Sequence, residues 1–248
     1  MQVKRFRIIK LWGESMEPVI SVSNVHYSFG KSHQKVEVLK GISLSIEPNS
    51  LIALKGRSGS GKTTLLNLLG ALDEPESGEI YFNRKLINGL SKKEKEKLRR
   101  TSIGFIFQSF GLIPLMTVEE NIEFALRIAE VPSIERPKKI RDAIELVGLT
   151  KRAKHLPYQL SGGEQQRCAI ARAIAPGPAL ILADEPTAEL DSRMAFQMIE
   201  VFKELVKTNQ ATIVMTTHDT GILEVIDHVY SLENGQITYD QKEVIMEK

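Results

Sequence analysis

Apolar residues recur along the chain in two rhythms. One consists of short runs, alternating or wholly apolar: VISVSNVHYSF (19–29), VEVLKGISLSIEP (36–48), LIALKG (51–56), EIYF (79–82), SIGFIF (102–107), ALILAD (179–184), ATIVMTT (211–217) and DHVYSLENGQITY (227–239). These predict β-strands. Between them lie longer segments with helical spacing: TTLLNLLGAL (63–72), SKKEKEKLRRT (91–101), TVEENIEFALRIA (117–129), PKKIRDAIELVGL (137–149), a helix from GGEQQR (162 onward) and MAFQMIEVFKELVKT (194–208). Apolar strands separated by amphipathic helices predict an α/β fold with a largely parallel sheet, its strands covered on both faces. The consecutive helices near 117–175 break the alternation, which predicts a helical lobe over about 109–175 inserted into a single domain, residues 19–248. Residues 1–18 form an N-terminal extension.

Several helix ends are written in the sequence. Ser161 with Glu164, and Thr117 with Glu120, have capping-box spacing; Pro137 suits a first helical position and Gly148 a C-terminal stop. The segment LSGGEQQRCAIARAIA (160–175) poses a problem, because two glycines in a first turn cost up to about 1 kcal/mol each relative to alanine. Without a Cβ they leave backbone N–H groups bare at the positive end of the helix dipole, where an anion can approach closely.

Composition narrows the options. The chain of 248 residues carries 33 basic and 31 acidic side chains, so the strongly basic footprint of a nucleic-acid binder is missing. The run KKEKEKLRR (92–100) reads as a solvated helix face. Cys168 is the only cysteine, which leaves no intramolecular disulfide or cysteine metal cluster and fits a reducing compartment. No stretch approaches the ~20 apolar residues of a membrane span, so any membrane role is peripheral. The extension MQVKRFRIIKLWGESMEP has no long apolar region like that of a signal peptide, but it offers Trp12 and other apolar residues beside Lys4, Arg5, Arg7 and Lys10.

Chemistry concentrates at strand ends. GRSGSGKT (56–63) fits GxxxxGK[ST] between an apolar strand and a helix. Its backbone N–H groups suit phosphate oxygens, Lys62 supplies a point charge, and Thr63 a hydroxyl for Mg²⁺. The run ALILADEPT delivers Asp184, suited to the Mg²⁺ shell, and Glu185, suited to polarising an attacking water. Gln108 and His218 also end strands; an uncharged amide at Gln108 can serve Mg²⁺ and water together.

Taken in order, GRSGSGKT, Gln108, LSGGEQQR, LILADE, AELD and His218 resemble the Walker A motif, Q-loop, signature, Walker B motif, D-loop and switch histidine of the nucleotide-binding subunit of an ABC transporter. The resemblance covers about residues 19–240. VLKGISLSI, GFIFQSFGLIP, TVEENIEFAL and ILADEPTAELDS are similar to the branch of macrolide exporters, lipoprotein-release transporters and antimicrobial-peptide resistance systems. Ala188, where that branch has glycine, and Pro176–Gly177–Pro178 depart from its pattern without removing a catalytic group.

The resemblance implies a P-loop NTPase core with an N-terminal antiparallel β subdomain, using ATP and Mg²⁺. Gly56, Arg57, Ser58, Gly59, Ser60, Gly61, Lys62, Thr63 and Thr64 would hold ATP, with Thr63, Gln108 and Asp184 around the metal and Glu185, His218 and Gln108 catalytic. The aromatic on adenine would be Phe29, with Tyr27 as the competing choice. Such subunits dimerise head to tail, so Ser161, Gly162, Gly163 and Glu164 would contact ATP held by the partner, beside Asp191 of the D-loop. The anion at the two glycines is then the partner's γ-phosphate.

The same resemblance implies a separate membrane permease, a dimer of identical or different cassettes, and a peripheral position on the cytoplasmic face of the membrane. The loop SFGLIPLM, with Phe110, Leu112, Ile113 and Met116, would accept the permease or pack within the lobe. An ABC-type ATPase acting on DNA or ribosomes is the alternative, but the long coiled-coil insertion or second nucleotide domain of such relatives is not found. A regulator without turnover is disfavoured by Glu185 and His218.

Overall fold

The computed structural model describes residues 17–30, 35–188, 190–209 and 211–242. The extension with Trp12 lies outside them up to residue 16. Strands β1 (Ile20–Phe29), β2 (Val36–Ile46), β4 (Ser77–Phe82) and β5 (Lys85–Leu86) form an antiparallel sheet in the order β2-β1-β4-β5. The second sheet has six strands. Its order is β10-β9-β3-β8-β7-β6, from β3 (Leu51–Lys55), β6 (Ile103–Ile106), β7 (Leu180–Ala183), β8 (Thr212–Thr217), β9 (His228–Glu233) and β10 (Gln236–Lys242). All its pairings are parallel except the β9–β10 hairpin.

The central strands have no polar face because both sides are covered. Leu51, Ala53, Ile181, Ala183, Ile213 and Met215 join one core, with Ile199 and Phe202 of α6 (Ser192–Asn209) and the helical lobe. Ile52, Leu54, Leu180, Leu182 and Val214 point the other way, against α1 (Lys62–Leu69) and the antiparallel sheet. Alternate residues of one strand therefore serve different cores, and the strands read as continuous apolar runs.

The lobe separates β6 from β7 and contains α3 (Val118–Ile128), α4 (Arg136–Leu146) and α5 (Gly162–Ile174). Both predicted capping boxes close, Thr117 with Glu120 and Ser161 with Glu164. A third, Ser91 with Glu94, starts α2 (Lys92–Ser102). Gly148 sits at φ +67° beyond α4, where its N–H reaches the carbonyl of Glu145 and that of Leu149 reaches Ile144. That is a Schellman stop. Pro137 takes the second helical position, since Glu135 is the N-cap. Helix α6 starts earlier than its apolar pattern, at Ser192, because Asp191 Oδ1 accepts the N–H of Met194. The strand β5 escapes a periodicity reading through being only two residues long.

Helix α2 buries none of its residues, as its charge predicts, and three of its six basic side chains are answered within the chain. Lys95 pairs with Glu74, Arg100 with Glu130, and Arg99 donates to the carbonyl of Ala71. Cys168 is fully buried, and burial pushes its thiol up to about 11.

Candidate nucleotide site

Strand register brings the predicted chemistry to one edge. Ile106 is level with Ala183, Ala183 with Met215, and Met215 with Ala53, while Lys55 pairs with Thr217. The residues just beyond, Gln108, Asp184, Glu185, His218 and the loop 56–61, consequently emerge side by side at the carboxyl ends of parallel strands, the usual ligand edge of an open α/β sheet. They line a cleft of about 790 Å³ together with Arg57, Ser58, Gly59, Gly61, Lys62, Thr63, Thr64 and Phe29.

The glycine loop is shaped from within the chain. Gly59 lies at φ +77° and a Cβ there would meet nothing within 4 Å, leaving its surface open to a ligand; Gly61, at φ +104°, would drive a Cβ to 2.7 Å from Leu39 Cδ2. Gly56 packs inward, where a Cβ would lie 2.4 Å from the carbonyl oxygen of Leu232. Ser60 is also turned inward, its buried hydroxyl lacking a hydrogen-bond partner. Gly56 and Ser60 therefore border an adjoining cavity rather than the main cleft. Lys62 is buried, and its ammonium donates to the carbonyls of Gly56 at 2.9 Å and Arg57 at 3.1 Å. The loop thus wraps a buried positive charge, an arrangement suited to phosphate.

The acidic side of the cleft is a hydrogen-bonded chain. Thr63 Oγ1 lies 3.1 and 3.0 Å from the two carboxylate oxygens of Asp184. Thr216, fully buried on β8, donates to Asp184 Oδ1 at 2.7 Å and accepts the N–H of Glu185 at 2.8 Å. Glu185 has the left-handed φ of +45°, a conformation that costs a non-glycine residue of order 1–3 kcal/mol and recurs at functional sites. Its Oε2 lies 3.3 Å from His218 Nδ1 and its Oε1 is 4.0 Å from Lys62 Nζ.

These donors suit Mg²⁺. The hydroxyl of Thr63 and the carboxylate of Asp184 are hard oxygen ligands already in contact. Among the described residues no cluster of three or more His, Cys, Asp or Glu forms a protein cage. Mg²⁺ typically takes one or two protein oxygens and completes its shell with water and substrate phosphates. Gln108 lines the same cleft and is exposed.

Phe29 and Tyr27 are separated by their surroundings. Phe29 is 52% exposed and lines the cleft, whereas Tyr27 packs on the core behind the antiparallel sheet. Their rings meet edge to face with centroids 5.1 Å apart.

Ser161, Gly162, Gly163 and Glu164 do not line this cleft. A Cβ at Gly162 would meet nothing within 4 Å, and one at Gly163 would meet Leu190 Cδ2 at 3.3 Å and Met194 Cε at 3.6 Å. Packing among the described residues therefore gives no reason for glycine at 162. Glu164 is occupied locally: Oε2 accepts the N–H of Ser161 at 2.8 Å and Oε1 accepts Arg152 Nε at 2.8 Å. Of the four residues expected to meet a partner's nucleotide, Glu164 is thus engaged by its own cap and by Arg152.

The loop after Gln108 is tied to the lobe. Arg172 of α5 donates to the carbonyls of Phe110 and Gly111, and the fully buried Asn121 of α3 bonds the backbone at Ile113, Met116 and Thr117. Leu112 packs on the lobe core, and Phe110, Ile113 and Met116 are half-buried. Leu115, which the sequence reading did not single out, is 88% exposed.

Against known proteins, the family model described as ABC transporter matches residues 39–188. The chain belongs to the ABC transporter family. A lipoprotein-releasing system ATP-binding protein, LolD of Saccharophagus degradans, is 41% identical over 218 residues, covering 88% of this chain and 96% of that one. The macrolide export ATP-binding/permease protein MacB of Wolinella succinogenes is 42% identical over 231 residues, 93% of this chain but 36% of MacB. The chain spans about a third of the length of such MacB relatives. The ATP-binding cassette MJ0796 of Methanocaldococcus jannaschii, solved as a dimer in a post-hydrolysis state bound to ADP and Pi, superposes with a TM-score of 0.84 at 37% identity, over 90% of this chain and 98% of that one. The two-sheet core with its inserted lobe is the fold of an ABC ATPase cassette.

Sequence reasoning found the strand-end groups through local motifs but missed Thr216 and Arg152. Thr216 sits inside the apolar run ATIVMTT, where a threonine signals only β propensity. Arg152 lies in a charged turn that reads as surface.

Proposed function

We propose that this cassette binds ATP with Mg²⁺ and hydrolyses it to drive a separate membrane permease. The observation that carries the reading is the convergence of Lys62, Thr63, Asp184, Glu185 and His218 on one cleft at one strand edge. The loop N–H groups and Lys62 bind the phosphates, Phe29 stacks on adenine, and Thr63, Asp184 and Gln108 would hold the metal. When bound there, the metal would supply positive charge against the negative charge that develops on the phosphates. Glu185 accepts a proton from the attacking water as its oxygen bonds the γ-phosphorus and the bond to the bridging β–γ oxygen breaks, giving ADP and phosphate. His218, 3.3 Å from Glu185, orients that carboxylate and the γ-phosphate.

A complete site takes two protomers. The bare Gly162 and Gly163 amides and the Ser161 hydroxyl meet the γ-phosphate of ATP held by the partner, and Asp191 lies beside that interface. The dimeric state of MJ0796 and, among the described residues, the open space within 4 Å of a Cβ at Gly162 support the arrangement. ATP then favours the closed dimer through contacts made only there, and hydrolysis removes them.

The permease meets the lobe near the loop after Gln108, where Leu115 is 88% and Phe107 40% exposed. The cassette accordingly sits peripherally on the cytoplasmic face of the membrane. Among the described residues, no helix is long and apolar enough to cross a membrane. Similarity to LolD and MacB supports an exporter or a system that extracts lipid or peptide substrates. The test is co-purification of the tagged chain with its membrane partner, with Mg-dependent ATPase activity assayed with and without that partner. No turnover in either state would overturn the enzymatic reading; turnover without a membrane partner would favour a non-transport ATPase.

A further inference from the structure

The cap of α5 presents an electrostatic conflict. Its first turn offers bare amides at Gly162 and Gly163 to an anion, yet the third residue is a carboxylate held one hydrogen bond from Ser161. A negative group so close to a phosphate site opposes its ligand. Ser161 Oγ accepts the N–H of Glu164 at 3.3 Å, and the same hydroxyl bonds the Glu164 carboxylate, which thus competes with an incoming phosphate for its proton. The cap is thus well shaped for phosphate but carries the wrong charge.

Arg152 resolves that conflict. It stands in a 3-10 turn (Thr150–Arg152), with its N–H on the carbonyl of Leu149 at 2.8 Å and a guanidinium nitrogen 3.4 Å from His155 Nε2. From there Nε donates to Glu164 Oε1 at 2.8 Å. The box itself needs no arginine, since the Thr117–Glu120 box on α3 closes with the same two backbone hydrogen bonds and a third from the Thr117 hydroxyl to Glu120. We propose that Arg152 is a positioning residue for the partner's ATP, neutralising Glu164 so that the α5 cap keeps its shape while its face stays favourable to a γ-phosphate. The inference rests on the reading that one protomer's signature completes the other's site. The carboxyl, held down to about 2 first by Arg152 and then by the Ser161 amide, is charged throughout the physiological range and always needs that compensation.

The test is a double-mutant cycle on ATP-dependent dimerisation, read by analytical ultracentrifugation of Glu185→Gln protein in Mg·ATP. Arg152→Gln should raise the ATP concentration for half-maximal dimer roughly tenfold, whereas Arg152→Lys, which keeps the charge, should stay within about threefold. Glu164→Gln should dimerise at least as well as the parent, and the double variant Arg152→Gln/Glu164→Gln should return to within about threefold of it. Monomer affinity for ATP, set by the glycine loop, should not change in any of them. A merely structural arginine would lower thermal stability without this nucleotide-dependent rescue. Arg152→Gln dimerising like a competent parent, or a deficit that Glu164→Gln does not relieve, would overturn the inference alone. A parent that binds ATP as a monomer and never dimerises would overturn the trans reading, and the inference with it.

Discussion

His218 Nδ1 lies 3.3 Å from Oε2 of Glu185, a carboxylate whose backbone is held at φ +45° by the Thr216 hydroxyl. The contact ties the ends of two adjacent strands at the point where the proposed mechanism activates water. Glu185→Gln keeps this shape and loses the basicity. It should preserve Mg·ATP binding, slow hydrolysis by about 10²–10⁴-fold and let the ATP-bound dimer accumulate. Turnover near the parent's rate would remove Glu185 as the base.

Asp184 faces a different test because its oxygens contact Thr63 rather than the water side. Asp184→Asn should raise the Mg²⁺ concentration for half-maximal ATPase by about 10–100-fold, the range seen when support around a metal is lost. ATP affinity measured in chelator should hardly move, since the glycine loop and Lys62 are untouched. Equal loss of affinity with and without metal would mean that the carboxylate shapes the loop instead.

Phe29 and Tyr27 predict opposite phenotypes. Phe29→Ala removes an exposed ring from the cleft wall and should weaken nucleotide binding by about 1–3 kcal/mol with little change in melting temperature. Tyr27→Ala removes a ring packed on the core, so it should destabilise the fold by about 1–3 kcal/mol and affect the ligand less. Nucleotide titration and thermal melts on both variants decide the matter; reversed effects would exchange their roles.

These groups were legible because each motif is local. A glycine loop with lysine, two carboxylates after an apolar run and a histidine after another declare chemistry within a few residues, and parallel-strand register then places them together. What stayed hidden depends on contacts between distant segments. Thr216 matters only because β8 lies beside β7, which carries its hydroxyl to Asp184. Arg152 matters only because the lobe folds its turn onto the start of α5. The apolar loop after Gln108 shows the same limit from the other side. Its composition announced unusual hydrophobicity, but only the packing divides it into Leu112, which serves the core, and Leu115, which does not.

Glu164 gives the fold a specific acid sensitivity. Its carboxyl lies at about 2 against an ordinary 4.5, lowered chiefly by the Arg152 hydrogen bond and then by the Ser161 amide. A depressed folded-state value means stability that is fully present above 4.5 and lost as pH falls from there through about 2. Glu164→Gln should therefore unfold in less urea than the parent at pH 7, with the two midpoints converging toward pH 2. A pH-independent gap would show that the side chain acts through packing and not through its charge.

The glycines at the head of α5 allow the sharpest test of the dimer. Lys62→Ala disables a protomer's own phosphate loop. Gly163→Glu puts a carboxylate where the proposed trans arrangement places the partner's γ-phosphate; among the described residues a Cβ there meets only the flexible side-chain ends of Leu190 and Met194, at 3.3 and 3.6 Å, so the variant should still fold. Each should be inactive as a homodimer. If the signature works in trans, mixing the two creates a heterodimer with both lesions in one site and neither in the other, because the sound loop of the second chain faces the sound signature of the first. Partial ATPase activity should reappear, or ATP-dependent dimerisation alone if turnover requires both sites. If each signature served its own chain's ATP, every site would stay damaged. Silence in both assays, with heterodimers verified by crosslinking and normal melting curves for each variant, would mean that Gly162 and Gly163 are bare for some reason other than a partner's phosphate.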